Sequence, residues 1–138
     1  MKKLTLDTNI LISGTFWNGA SFKILERIDK KLDESVSSKD ILLEYERIIK
    51  SEEIAEKIEN KNLIMSKISQ KVIIDSKIVE PKEKLQIVKD DPNDNIILEC
   101  AKEGKIDYII TNDKHLLKIK EFQGINIITP EEFLKKLE

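Results

Sequence analysis

The residues whose types could do chemistry are four acids spread along the chain: Asp7, Glu44, Asp94 and Asp113. Four carboxylates that meet repel one another, which raises their pKa values unless a cation neutralises the charge. Mg²⁺ and Mn²⁺ are hard ions that take oxygen ligands and usually keep bound waters. An ion of this kind lowers the pKa of a bound water and stabilises charge on a phosphate. If the acids converge, they therefore predict a metal-dependent centre that acts on a phosphate group.

Asp7 and Asp113 each stand at the end of a predicted strand. Residues 3–6 form a short alternating apolar run before Asp7, and residues 108–111 form the clearest strand of the chain just before Asp113. Parallel sheets bind ligands beyond the carboxyl ends of their strands, which is where both acids would lie. Each Asp could equally cap the following helix or form a turn, and the residue types alone leave both interpretations open.

Glu44 lies inside a predicted helix over residues 40–50. At 100° per residue, the helix has one apolar arc, and Glu44 falls on its edge beside Ile48. A carboxylate at the rim of a buried face needs a cation, a metal ion or water as its partner. The alternative is an ordinary boundary glutamate whose side chain reaches solvent.

Asp94 opens a predicted helix over residues 95–103. Pro92 suits the first helical position and Asp91 suits the N-cap before it. One side of the helix is apolar and the other carries Asn95, Glu99, Lys102 and Glu103. Projected back, Asp94 falls on the inward side. An acid at this position can also serve a capping box or the helix dipole, so a structural role stays open beside the catalytic one.

The elements that must position these acids alternate between strands and helices. Strands are predicted at 3–6, 35–37, 77–79, 108–111 and 125–128. Helices are predicted at 21–29, 40–50, 52–75, 95–103, 114–120 and after Thr129, which is followed by Pro130 and Glu132 as in a capping box. This alternation predicts a parallel sheet with helices on both faces.

Composition indicates a soluble globular protein of one domain, residues 1–138. The chain is 40% hydrophobic and 36% charged, with a formal net charge of −2. Because the net charge of the chain is close to zero, any nucleic-acid binding would depend on a local basic patch. Cys100 is the only cysteine, which excludes an internal disulfide. No run approaches the roughly 20 apolar residues of a membrane span, and no apolar signal region follows Met1, so we expect a cytoplasmic location.

Three segments resemble the PIN-domain ribonucleases, and within them the branch of toxin components of toxin–antitoxin pairs. They are Leu6-Asp7-Thr8-Asn9-Ile10-Leu11-Ile12-Ser13, Asp91-Pro92-Asn93-Asp94-Asn95 and Tyr108-Ile109-Ile110-Thr111-Asn112-Asp113. The resemblance covers nearly the whole chain in order and spacing. It implies a Rossmann-like, three-layer α/β/α sandwich of about five parallel strands in the order 3-2-1-4-5. That order places the first and fourth strands side by side, in agreement with the predicted meeting of Asp7 and Asp113.

The resemblance also implies a site, a cofactor and partners. The family's acidic set carries over onto Asp7, Glu44, Asp94 and Asp113, and its supporting polar positions onto Asn9 and Thr111, with Asp91 beside them. The implied cofactor is Mg²⁺ or Mn²⁺. The implied activity is hydrolysis of RNA by metal-activated water, and the implied partners are RNA, an antitoxin protein and a second copy of the chain in a dimer.

One departure from the family pattern concerns His115, the only histidine. Many relatives carry another Asp at this position, so a second-metal role for that acid is in doubt here. A lone histidine is more typical of a surface or capping residue. Lys114, next to it, is placed to bind an RNA phosphate. Phe16 and Trp17 follow the loop after the first strand and could form a base-stacking platform, although a core or an interface is favoured.

Rival functions are distinguished by the residues after the first strand. A phosphatase of the Asp-x-Asp type would need a second acid where Asn9 stands, and a phospho-receiver domain would need an acidic pair there. The remaining alternative is a catalytically inactive PIN-like domain that serves as an RNA- or protein-binding module. The presence of all four acids favours the enzyme, although residue identity alone does not establish turnover.

Overall fold

The computed structural model describes residues 1–51, 63–89 and 91–137. Its strands are β1 Lys2–Leu6, β2 Asp33–Ser38, β3 Lys77–Val79, β4 Tyr108–Ile110, β5 Glu121–Phe122 and β6 Ile125–Ile128. Its helices are α1 Thr8–Phe16, α2 Ala20–Asp29, α3 Lys39–Ile49, α4 Leu63–Asp75, α5 Pro92–Gly104, α6 Lys114–Ile119 and α7 Pro130–Lys136. Within these ranges, no helix has the length and apolar character that crossing a bilayer requires. Of the predicted helix over 52–75, residues 52–62 lie outside the described part, and the remainder is α4.

The sheet has the order β3-β2-β1-β4-β6-β5. The first five strands of that order pair in parallel, and β5 adds an antiparallel edge. The predicted order 3-2-1-4-5 is therefore confirmed, because the fifth predicted strand is β6. β5 was not predicted. It forms a hairpin with β6 through Gln123 and Gly124, whose φ angles of 51° and 84° fit the left-handed conformation that two-residue hairpin turns require.

The segment after β1 is a helix, and its prediction as a loop was wrong. In α1 the apolar residues are not confined to one face, so the helix lacks the periodicity by which surface helices are recognised. It is buried on several sides, with Ile10, Leu11 and Ile12 in the core. Gly14 lets α2 approach closely, since a Cβ at this position would collide with Leu25. The helix turns the chain immediately after Asp7, so that this residue stays at the edge of the sheet.

The polar side of α5 is partly covered by the extended segment that precedes the helix. Asn95 and Glu99 are both buried. The Asn95 amide accepts hydrogen bonds from the backbone N–H groups of Ile87 (3.0 Å) and Val88 (2.9 Å) and donates to the Val88 carbonyl (2.9 Å). Glu99 accepts from the N–H of Leu85 at 2.8 Å. These side chains bind the extended segment before the helix, whose backbone pairs with no strand in the described part of the chain.

Removing the Asn95 amide tests this anchoring. Asn95→Ala leaves the N–H groups of Ile87 and Val88 without their acceptor, so we expect a loss of about 1–3 kcal/mol in the free energy of unfolding. Chemical denaturation measures the loss, and hydrogen exchange should become faster at Ile87 and Val88. Asn93→Ala, at an exposed position of the same helix, is the control. Equal stability of the two variants would contradict the anchoring role.

Candidate active site

Asp7 and Asp113 meet at the carboxyl ends of two neighbouring strands. β1 and β4 are parallel, with Leu6 opposite Ile110, and the N–H of Asp7 donates to the Ile110 carbonyl at 3.0 Å. Thr111, which is fully buried, links the two acids. Its hydroxyl donates to Asp7 Oδ2 at 2.7 Å and accepts from the N–H of Asp113 at 2.9 Å. The supporting position predicted at Thr111 therefore lies between the acids.

Asp113 also caps the short helix α6. Its Oδ1 accepts from the N–H groups of His115 (2.8 Å) and Leu116 (3.2 Å). The sequence left open whether Asp113 caps a helix, and the structure shows that one of its carboxylate oxygens does so. Capping and participation in a site are compatible, because the hydrogen bonds orient the carboxylate and delocalise its charge.

Asp94 does not act as a cap. The N-cap of α5 is Asp91, whose Oδ1 accepts from the N–H of Asn93 at 3.1 Å, as predicted. Asp94 is only 5% exposed, so its inward projection is confirmed. Its Oδ2 is buried and has no hydrogen-bond partner among the described residues. A buried carboxylate oxygen without a donor is costly, and a bound cation would remove that cost.

The four acids line one cavity of about 90 Å³ beside the sheet edge. The lining also includes Asn9 and Asp91, both of which were predicted as supporting positions. Glu44 reaches the cavity from α3, but its carboxylate is paired with Arg47 through contacts of 2.6 and 3.1 Å. The partner that the sequence required for Glu44 is therefore an arginine one turn along the same helix. Lys114 is exposed and lies outside the described cavity lining.

His115 lies against the acids, which the sequence did not predict. Its Nδ1 is 3.8 Å from Asp94 Oδ2 and 3.7 Å from Asp113 Oδ1, and about half of the side chain is exposed. With Asp91, these residues form a group whose ligand atoms lie within 4.8 Å of one another. The sequence signal that could have predicted this position of His115 is its spacing from Asp113, because His115 lies in the first turn of the helix that Asp113 caps. The donor set and the unpartnered Asp94 oxygen together fit a divalent cation.

Comparison with known proteins identifies the family and the fold of the chain. A family model for the PIN domain matches residues 3–115. The chain belongs to the PIN-domain family. Two solved structures share the fold of this PIN domain, each with a TM-score of 0.57. VapBC2 from Rickettsia felis, bound to a DNA fragment from its promoter, is 16% identical, with 91% of this chain and 96% of that chain covered. PAE2754 from Pyrobaculum aerophilum is 15% identical, with coverage of 99% and 89%. None of the curated proteins matches the chain.

The electrostatics of this PIN domain disfavour negative charge at the site. Burial raises the pKa of Asp7, as does the nearby Asp113, while hydrogen bonds from Thr111 and from the N–H groups of Thr8 and Asn9 lower it. For Asp94, burial first and then the proximity of Asp113 raise the pKa to about 8. The charges of Asp91 and Asp7 contribute to the same rise. In the absence of a cation, Asp94 is thus protonated at neutral pH.

Asp94→Asn should stabilise the metal-free protein. The pKa of Asp94 rises from an ordinary 3.8 to about 8, so the folded protein binds this proton more tightly than the unfolded chain does. Stability must therefore fall as pH rises through that interval, and asparagine removes the effect. In EDTA at pH 8 we expect Asp94→Asn to have a higher melting temperature than the wild type, by about 3–6 °C. This shift corresponds to a gain of about 1 kcal/mol in the free energy of unfolding.

The difference should shrink toward pH 4, where Asp94 is protonated in the folded wild type and about half protonated in the unfolded chain. Asp40→Asn, at an acid on α3 whose side chain is 45% exposed, is the control and should show no such pH-dependent gain. A melting temperature of Asp94→Asn below that of the wild type at every pH would show that Asp94 is a structural residue.

Proposed function

We propose that residues 1–138 form a single PIN nuclease domain that cleaves RNA endonucleolytically, with Mg²⁺ or Mn²⁺ as its cofactor. The observation that carries the proposal is the convergence of Asp7, Asp94 and Asp113 in one cavity, with a buried oxygen of Asp94 left without a hydrogen-bond partner. Acids arranged in this way suit a cation and a phosphate together, because the ion neutralises both.

Asp7, Asp94 and Asp113 are the residues that would bind the ion. When bound, a divalent ion supplies an activated water and stabilises charge on the phosphate under attack. Thr111 orients the Asp7 carboxylate through its 2.7 Å hydrogen bond, and it is positioned by the same strand end as Asp113. The N–H groups in the first turn of α6 donate to the Asp113 carboxylate and orient it in the same manner. These residues therefore present the carboxylates without rearrangement, which is the contribution that a protein makes to catalysis by positioning.

Glu44, Asn9 and Lys114 are assigned outer roles in this proposal. Glu44 completes the acidic wall of the cavity, although its pairing with Arg47 leaves it less free than the three aspartates. Asn9 lines the same cavity and can contact a substrate oxygen. Lys114 is exposed at the start of α6 and is assigned to an RNA phosphate near the site.

We infer further that the protein is the toxin of a toxin–antitoxin pair, acting in the cytoplasm. The inference rests on the resemblance of its motifs to that branch of the family and on the shared fold with VapBC2, an assembly bound to a promoter DNA fragment. An antitoxin protein would be the specific partner, and a homodimer the assembly in solution. Copurification with the product of an adjacent small reading frame tests the partner directly.

The nuclease activity is tested with untagged protein, a defined single-stranded RNA and Mn²⁺. We expect internal cleavage that stops in excess EDTA and returns when Mn²⁺ is restored. Asp7→Asn and Asp113→Asn should each lower the rate by about 10²-fold or more, because each removes charge from the ion. Glu44→Gln should cost less, since Arg47 already neutralises that carboxylate.

Glu46→Gln is the matched control for Glu44→Gln, because Glu46 lies on the same helix and pairs with Lys50 on the exposed surface. It should keep the wild-type rate. Cleavage that continues in EDTA would refute the metal mechanism. RNA binding without cleavage, unchanged in Asp7→Asn, would instead favour the inactive PIN-like binding module.

A further inference from the structure

His115 introduces a nitrogen ligand where the site is otherwise built from oxygen. Its Nδ1 faces Asp94 Oδ2 at 3.8 Å and Asp113 Oδ1 at 3.7 Å. Both distances exceed those of hydrogen bonds, so the ring does not satisfy either acid directly. Two ligands about 2.1 Å from one ion lie at most about 4.2 Å apart. His115 Nδ1 is thus close enough to each of the two carboxylate oxygens to share a cation with it, and the ligand atoms of the whole group lie within 4.8 Å of one another.

A second observation points to a ligand at the same place. The Asp94 side chain is 7% exposed, and its Oδ2, the oxygen that faces the ring, has no hydrogen-bond partner among the described residues. Asp91 supplies a further carboxylate within the same 4.8 Å group. A buried, unpaired carboxylate oxygen beside an imidazole nitrogen is the arrangement expected of a metal site whose ion is the missing partner.

We propose that His115, Asp94 and Asp113 form a mixed nitrogen and oxygen cation site that selects a divalent transition-metal ion over Mg²⁺. The proposal rests on the metal centre of the proposed function and names the class of ion that it takes. Mg²⁺ prefers oxygen ligands and water, whereas imidazole suits the later transition metals. The imidazole of His115 therefore adds affinity for such ions at this site.

The sequence offers a direct spectroscopic test, because His115 is the only histidine. In untagged protein loaded with Mn²⁺, any imidazole nitrogen coupling in pulsed electron paramagnetic resonance must come from this residue. We expect ¹⁴N modulation in the wild type and its loss in His115→Ala. Lys118→Ala, an exposed substitution on the same helix, should keep the signal. Bound Mn²⁺ without nitrogen coupling, or no bound Mn²⁺ at all, would overturn the proposal.

Ion selectivity provides the second measurement. Calorimetric titration with Co²⁺ and Mg²⁺ should show that His115→Ala weakens Co²⁺ binding by about tenfold or more and Mg²⁺ binding by about threefold at most. His115→Asp should lower the ratio of Co²⁺ to Mg²⁺ affinity. An unchanged ratio in both variants would overturn the proposal. Because none of these readouts needs RNA, a protein that binds Co²⁺ through His115 but fails to cleave RNA would refute the proposed function alone.

Discussion

Repulsion among buried carboxylates is the constraint on which the site depends. Parallel pairing of β1 with β4 brings Asp7 and Asp113 to one sheet edge, and the start of α5 adds Asp94 to the same cavity. Within a protein, carboxylates that share one cavity are tolerated only if one of them is protonated or a cation lies between them. The raised pKa of Asp94 is the first of these solutions, and a bound divalent ion is the second.

Most hydrogen bonds at the site serve to present the acids rather than to neutralise them. Thr111 donates to Asp7, and the first turn of α6 donates to Asp113, so each of these carboxylates has one oxygen oriented by the fold. Asp94 has no such donor on Oδ2. Burial is the largest cause of the raised pKa of both acids, but Asp7 retains hydrogen bonds that partly compensate for it. This contrast identifies Asp94 as the acid most dependent on a cation.

The sheet could be predicted from sequence because its strands are short apolar runs separated by helical periodicities. The inward projection of Asp94 followed from helix geometry, and the cap at Asp91 followed from residue type. The pairing of Glu44 with Arg47 was also readable in principle, since the two residues are three apart on one helix.

Other features depend on tertiary contacts that no local pattern encodes. Helix α1 is apolar without a period, so only its burial distinguishes it from a loop or strand. The sequence placed Asn95 and Glu99 on the polar side of their helix, but the segment that covers them is recognisable only in three dimensions. The same holds for His115, whose ring reaches Asp94 across 21 positions of the sequence.

Thermal unfolding against free Mn²⁺ concentration tests most directly whether the acidic cavity of this PIN domain is a cation site. Binding to the folded state alone adds about 2.7 kcal/mol of stability at a ligand concentration of 100 times Kd. The wild type should therefore melt progressively higher as Mn²⁺ increases. Asp94→Asn should start higher in EDTA and respond far less, so that the two curves cross. A wild-type melting temperature that is indifferent to Mn²⁺, or an equal response in Asp94→Asn, would contradict the account.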